Sequence, residues 1–313
     1  MCLTMMFGLF MASCSDDDND SSDKKEAVVV YFKNGTMDYW KQMETAIKEE
    51  CKAKNYEVLV SYVTDDSDID GQLAEVSKFS EYQKKYDVKG VIIAPIYIDG
   101  NHKVEEQLAK FVGSNIPVIV VDSPVDEKNN PLKNAIKAYI GTDNMNAGKN
   151  LAETVNAKAS TILAARLKNS IPTIARYEGF CEGVGSEVAI WETNYDKATP
   201  TEMAELIKQN PDVQNLVFFN GGLCSSVLEA CKDMNVYTFD AYKPLFENML
   251  SDNGYVKGIV AQNTFEMGRL AVSAITDSAV KGEILVPTIF ISPKTIMTEE
   301  ARPFMEYFGM SKK

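Results

Sequence analysis

Five short apolar runs in this 313-residue chain are followed at once by residues that bind hydroxyl groups well. AVVVYF (27–32) leads into the stretch from Asn34 to Trp40, which holds Asp38 and Tyr39. PVIVV (117–121) ends at Asp122-Ser123, and QNLVFF (214–219) at Asn220-Gly221-Gly222. VYTF (236–239) ends at Asp240, and VKGIVA (256–261) at Gln262-Asn263. Carboxylates and amides grip vicinal hydroxyls with paired hydrogen bonds. Aromatic faces cover the apolar C–H side of a ring. The set suits recognition of a small polyhydroxylated molecule.

The same survey argues against catalysis. The single histidine, His102, lies in DGNHKVEE and reads as a solvated helix start. One histidine cannot make an H-E-x-x-H metal pair, and no G-x-S-x-G accompanies it as a triad partner. No Walker A loop or G-x-G-x-x-G follows a strand, and Gly221-Gly222 is a bare turn. Asp122 and Asp240 are also the minimum equipment for glycoside hydrolysis. The reading adopted is binding without chemistry, with no cofactor and no metal.

The elements that would position these residues alternate along the chain. EVLVSYV (57–63) and GVIIA (90–94) join the runs above as strands buried on both faces. Between them, Met43, Ala46, Ile47 and Cys51 keep helical spacing, as do Ile69, Leu73 and Val76, then Val104, Leu108 and Val112. A second set follows, with TILAA (161–165) and EVAIWE (187–192) as its first strands. This is repeated βαβ in two sets of about five strands. The expectation is an α/β protein of two similar doubly wound parallel-sheet lobes joined by a hinge. Ligands of such sheets bind beyond the carboxyl ends of the strands, so the cleft lies between the lobes. The lobes are expected at 27–142 plus 263–291 and at 143–262 plus 292–313. Hinges are expected near Thr142-Asp143, Gln262-Asn263 and Ile291-Ser292.

The first 26 residues stand apart. LTMMFGLFMAS (3–13) is too short for a membrane span and suits a signal peptide's apolar core. Met11-Ala12-Ser13-Cys14 resembles a bacterial lipobox, which makes Cys14 the lipidated first residue of the mature chain. SDDDNDSSDKKE then offers nothing to a core and reads as an acidic tether over 14–26. A net charge of −13 repels phosphate backbones, so nucleic acid is not an expected partner. Membrane contact is expected through the anchor alone, in the cell envelope. Six cysteines show no C-x-x-C spacing, and Cys51, Cys181, Cys224 and Cys231 read as buried thiols.

In order and spacing, these segments resemble the type I periplasmic binding proteins of the ribose-binding and lactose-repressor ligand-domain group. The resemblance runs from about Ala27 to Thr298. It rests on Tyr39-Trp40, IPVIVVDSP, IGTDNMNAGK (140–149), NPDVQNLVFFNGG, Phe239-Asp240 and VAQNTFEMG. Arg176-Tyr177-Glu178-Gly179-Phe180 matches an R-x-x-G-F helix opening. It implies ligand contacts from Asp122, Asp240, Gln262, Asn220, Tyr39 and Trp40, with Arg176 in the lobe packing or the cleft. Ser123 replaces an Arg of ribose-binding relatives, Ile174 a second one, and Met37-Asp38 an Asn-Pro. Asp38 or Asn34 would then supply the missing polar contact. The implied ligand is a monosaccharide, a polyol or another small polar metabolite. The implied protein is a monomer that hands its ligand to an ABC-type permease, or alternatively presents it to a membrane sensor kinase. Glu299–Lys313 extends past the family core and reads as an added amphipathic helix.

Overall fold

The computed structural model describes residues 24–96, 102–113, 115–124, 129–194 and 197–310. The stretches read above as signal peptide, lipidated Cys14 and acidic tether, through Asp23, lie outside them. The strands are β1 (Glu26–Asn34), β2 (Glu57–Val63), β3 (Asp87–Ile93), β4 (Val118–Val121), β5 (Ile136–Thr142) and β6 (Ile162–Leu167). They continue as β7 (Ala189–Thr193), β8 (Asn215–Phe218), β9 (Asn235–Phe239), β10 (Val256–Ala261), β11 (Gly282–Val286) and β12 (Ile289–Ile291). They form two six-stranded sheets, in the orders β11-β5-β4-β3-β1-β2 and β12-β10-β9-β8-β6-β7. Among the described residues every pairing is parallel except β10 with β12.

The continuous apolar runs are explained by cover on both faces. Along β1, Val28 and Val30 meet helices Asp38–Ala53 and Thr264–Thr276 through Met43, Ile47, Met267 and Ala271. Val29 and Tyr31 point the other way, to Val76, Phe79, Leu108 and Val112. The second sheet repeats the plan. Leu151 and Phe180 pack on one face, and Leu245, Phe246, Phe304 and Phe308 on the other. Each such side chain taken fully out of water contributes about 1.5–3 kcal/mol. The tail reading is realised as helix Arg302–Tyr307, whose Phe304 is fully buried in the second sheet's core.

The chain changes sheet three times. It leaves β5 for helix Asn144–Val155 on the second sheet, and leaves β10 for helix Thr264–Thr276 on the first. Each arriving helix is capped by the crossing residue itself. Asp143 Oδ1 accepts from Asn146 N at 3.0 Å, and Asn263 Oδ1 from Glu266 N at 3.2 Å. Such caps contribute about 1 kcal/mol each. The third change falls at Pro287-Thr288, not after Ile291. The reason is the antiparallel pairing of Ile289 with Ala261 and Ile291 with Ile259, which puts β12 in the second sheet.

Two further expectations are corrected. His102 does precede a helix, Lys103–Val112, but its side chain is only 13% exposed, with Nδ1 3.3 Å from the fully buried Glu105. Burial raises the Glu105 pKa and the contact with His102 opposes that shift, so the ring turns toward this carboxyl instead of standing in solvent. Cys51, Cys224 and Cys231 are buried free thiols, whereas Cys181 is partly exposed. No helix among the described residues is long and apolar enough to cross a membrane.

Candidate functional site

The site is built at the carboxyl ends of the strands of both sheets. Its two anchors are Asp122, directly after β4, and Asp240, directly after β9. Both have left-handed backbones, with φ of 70° and 65°. Among the described residues, the five non-glycine residues with positive φ are all Asn or Asp, the types that tolerate it best. Such a conformation costs on the order of 1–3 kcal/mol and turns the side chain out of the strand direction. The turn is secured by the neighbouring strand: Asp122 N donates to Ile140 O at 3.0 Å, and Asp240 N to Val260 O at 2.9 Å.

Around Asp122 the donors converge. Tyr39 OH donates to Oδ1 at 2.9 Å, and Ser123 Oγ to Oδ2 at 2.8 Å. Lys33 Nζ lies 3.3 Å from Oδ2 and 2.8 Å from Ser123 Oγ. Tyr139 OH donates to the Asp122 carbonyl at 3.0 Å. Burial, then the Asp122 charge, push the Tyr39 hydroxyl well above its ordinary pKa, so it stays a donor. Burial also raises the pKa of nearby Asp66, an effect the Lys33 ammonium opposes.

Around Asp240 the partners are firmer. Gln262 Nε2 donates to Oδ1 at 2.6 Å, and the backbone Gly221 N to Oδ2 at 2.9 Å. Arg176 Nη1 lies 3.9 Å from Oδ1. Arg176 is itself held by Asn144 Oδ1 at 2.8 Å and Phe219 O at 2.9 Å, with its guanidinium 4.4 Å from the Phe239 ring centre. Gln262 Oε1 accepts from Thr142 Oγ1 at 2.9 Å, so the two crossings are joined by one hydrogen bond. Asn220 caps helix Gly221–Val227, its Oδ1 accepting from Leu223 N at 2.8 Å.

Helix Asp38–Ala53 brings the halves together. Its Tyr39 touches Asp122 and also feels the charges of Asp240 and Arg176. One turn on, Gln42 Nε2 donates to Ala241 O at 3.0 Å, across to the residue after Asp240. Tyr39, Asp122, Asp240, Gln262 and Arg176 therefore form one polar group, with Asn220 capping the adjoining helix. Trp40 sits beneath it, 3% exposed, against Phe32 at 5.3 Å and Tyr39 at 4.8 Å between ring centres.

Two expected residues stand elsewhere. Asp38 accepts from Tyr307 OH at 3.4 Å and from the backbone N–H of Lys243, which opens a helix of the second lobe. Asn34 Oδ1 is taken by Thr36 N at 2.9 Å and Thr36 Oγ1 at 2.6 Å. Conversely, sequence reasoning passed over Lys33 and Tyr139. Lys33 had a signal, a cation ending an apolar run just before Asn34. Tyr139 had none, because the stretch before the hinge at Thr142-Asp143 is not among the strands the sequence pattern announces.

The charges in this group are matched. Lys33 faces Asp122, and Arg176 faces Asp240. The arrangement offers donors and acceptors at short range without an isolated charge. Among the described residues no group of three or more His, Cys, Asp or Glu side chains could hold a metal ion.

Comparison with known proteins places this geometry. The model of the periplasmic binding protein domain matches residues 27–283, and the chain belongs to that family of solute-binding proteins. No curated protein matches the sequence. Among solved structures, it resembles an arabinose-binding protein from Geobacillus stearothermophilus at 20% identity and a TM-score of 0.68, covering 87% of this chain and 98% of that one. It also resembles a carbohydrate-transporter solute-binding protein from Agrobacterium radiobacter, solved with D-arabinose, at 19% identity and 0.71, covering 91% and 99%. A putative LacI transcriptional regulator from Bacteroides fragilis matches at 16% identity and 0.67, covering 87% and 99%.

Proposed function

We propose that this protein captures a small neutral sugar between its lobes and passes it unchanged to an ABC-type transporter, while tethered to the cell envelope through a lipid on Cys14. The observation that carries the reading is the charge-matched polar group of Asp122, Lys33, Tyr39, Asp240, Gln262 and Arg176 at facing strand ends. A neutral polyol can exchange hydrogen bonds with it one for one, whereas a charged ligand would leave a charge unpaired. The sugar's hydroxyls replace Ser123 and Lys33 on the Asp122 carboxylate, and Tyr39 stays as the shared donor. Asp240, Gln262 and Asn220 complete the contacts from the second lobe. Arabinose in the names of two structural neighbours supports the substrate class.

Binding and closure are linked, because ligand stabilises the closed form only by contacts that both lobes make. Calorimetry of residues 27–313 against pentoses, hexoses and polyols should find a one-to-one ligand. Small-angle scattering should then show a smaller radius with that ligand than without it. Silence across all neutral sugars sinks the substrate class, and an unchanged radius on binding sinks the closure.

A further inference from the structure

Away from the cleft, on the hinge face, lies a groove of about 1090 Å³. Helices Asp38–Ala53 and Thr264–Thr276 of the first lobe form one side, and the crossover at Pro287 and the tail helix Arg302–Tyr307 of the second form the other. Its floor is apolar: Phe265, Ile289, Pro303 and Tyr307 are half-buried there. Among the described residues that line it, the rim carries Glu49, Glu50, Glu266, Glu299, Glu300 and Glu306 and the cation Arg269, with Arg302 and Lys54 just outside.

That cation is already committed. Arg269 Nε lies 2.8 Å from Glu266 Oε2, and Nη2 bonds the other oxygen. Glu299 is held by Arg302 at 2.6 Å, and Glu50 by Lys54 at 3.6 Å. Glu49, Glu300 and Glu306 are exposed and have no ion-pair partner among the described residues. An apolar floor under three unneutralised carboxylates complements an extended segment with alternating apolar and basic side chains. A second copy of this chain is a poor occupant, because its net charge of −13 repels the rim.

We infer that the hinge groove docks a basic, amphipathic segment of a partner protein. Because its walls belong to both lobes, hinge rotation changes its width, and the occupant reads whether the cleft is open or closed. This last consequence rests on the hinge reading above, whereas docking itself does not.

The test uses the chain from residue 27 onward and a short labelled peptide of alternating lysine and leucine, followed by fluorescence anisotropy without sugar. The variant Glu49→Gln/Glu300→Gln/Glu306→Gln should bind it at least ten-fold more weakly than wild type. The control Glu153→Gln/Glu178→Gln/Glu187→Gln removes the same charge from exposed sites elsewhere and should bind like wild type. Equal weakening in both variants would reduce the effect to overall charge and overturn the assignment. So would no binding by wild type, or a dimer in sedimentation that only the groove variant loses. Circular dichroism of the groove variant checks that it folds. Since no sugar is present, failure of the sugar assignment leaves this result untouched.

Discussion

Asp122 and Asp240 occupy equivalent places in the two lobes, yet they are built differently. Each follows an inner strand, has positive φ and gives its N–H to the next strand over. Asp122 is 19% exposed in its side chain and is held by the tips of Lys33, Ser123 and Tyr39. Asp240 is 7% exposed and is held by a backbone N–H, by the hinge amide Gln262 and by Arg176. Side-chain tips rotate away at little cost, whereas a backbone donor at a helix start does not. On the proposed function, the first aspartate is the one that trades partners with the sugar. The second ties together β9, the Gly221–Val227 helix and the crossing at Gln262, and on the proposed function meets the sugar as part of a rigid wall.

The largest effect should separate the two on stability. Asp240→Ala leaves Gly221 N, the Gln262 amide and the Arg176 guanidinium short of an acceptor in a buried place. Breaking a buried charge pair from one side costs about 3–5 kcal/mol. Thermal melts should show Asp240→Ala well below wild type, and a small change would make the two aspartates alike after all. Next in size, Asp122→Ala carries the same strain of an alanine at positive φ but breaks a more exposed ion pair, so it should melt less far below wild type than Asp240→Ala and weaken sugar binding by about 1.5–3 kcal/mol, the range for a hydrogen bond to a charged group. Calorimetry checks it, and unaltered affinity would take Asp122 out of the site.

The smallest effect concerns the helix that joins the halves. Burial opposes ionisation of Glu44, but hydrogen bonds from Lys48 and Tyr62 and the charge of Lys41 outweigh it, so its pKa is lowered. A lowered carboxylate pKa contributes stability above the ordinary value of 4.5, and the contribution is lost as pH falls through the folded value. Glu44→Gln should melt below wild type at neutral pH, with the gap closing as the solution is acidified past that window. A gap independent of pH would assign the loss to packing.

Much of the fold was legible because inner parallel strands must be apolar on both faces. Val28 to Phe32, Val91 to Ala94 and Val118 to Val121 announce themselves that way. β11 and β12 did not. Gly282–Val286 is an edge strand exposed along most of its length, and Ile289–Ile291 has three residues. Neither needs a pattern of its own, since the sheet beside it supplies the hydrogen bonds. For the same reason the third crossing moved to Pro287-Thr288.

By itself the sequence determined the two α/β units and the polar strand ends, because periodicity and strand-end chemistry are local properties of the chain. Only the tertiary structure decided which strand ends share a site. Tyr39 meets Asp122 across 83 positions, and Gln262 meets Thr142 across 120. It also decided that Asp38 faces Tyr307 and Lys243 of the second lobe, and that Asn34 closes its own turn. Partners that distant are set by how the helices pack on each sheet and how the crossings lay one lobe against the other, which no local pattern encodes.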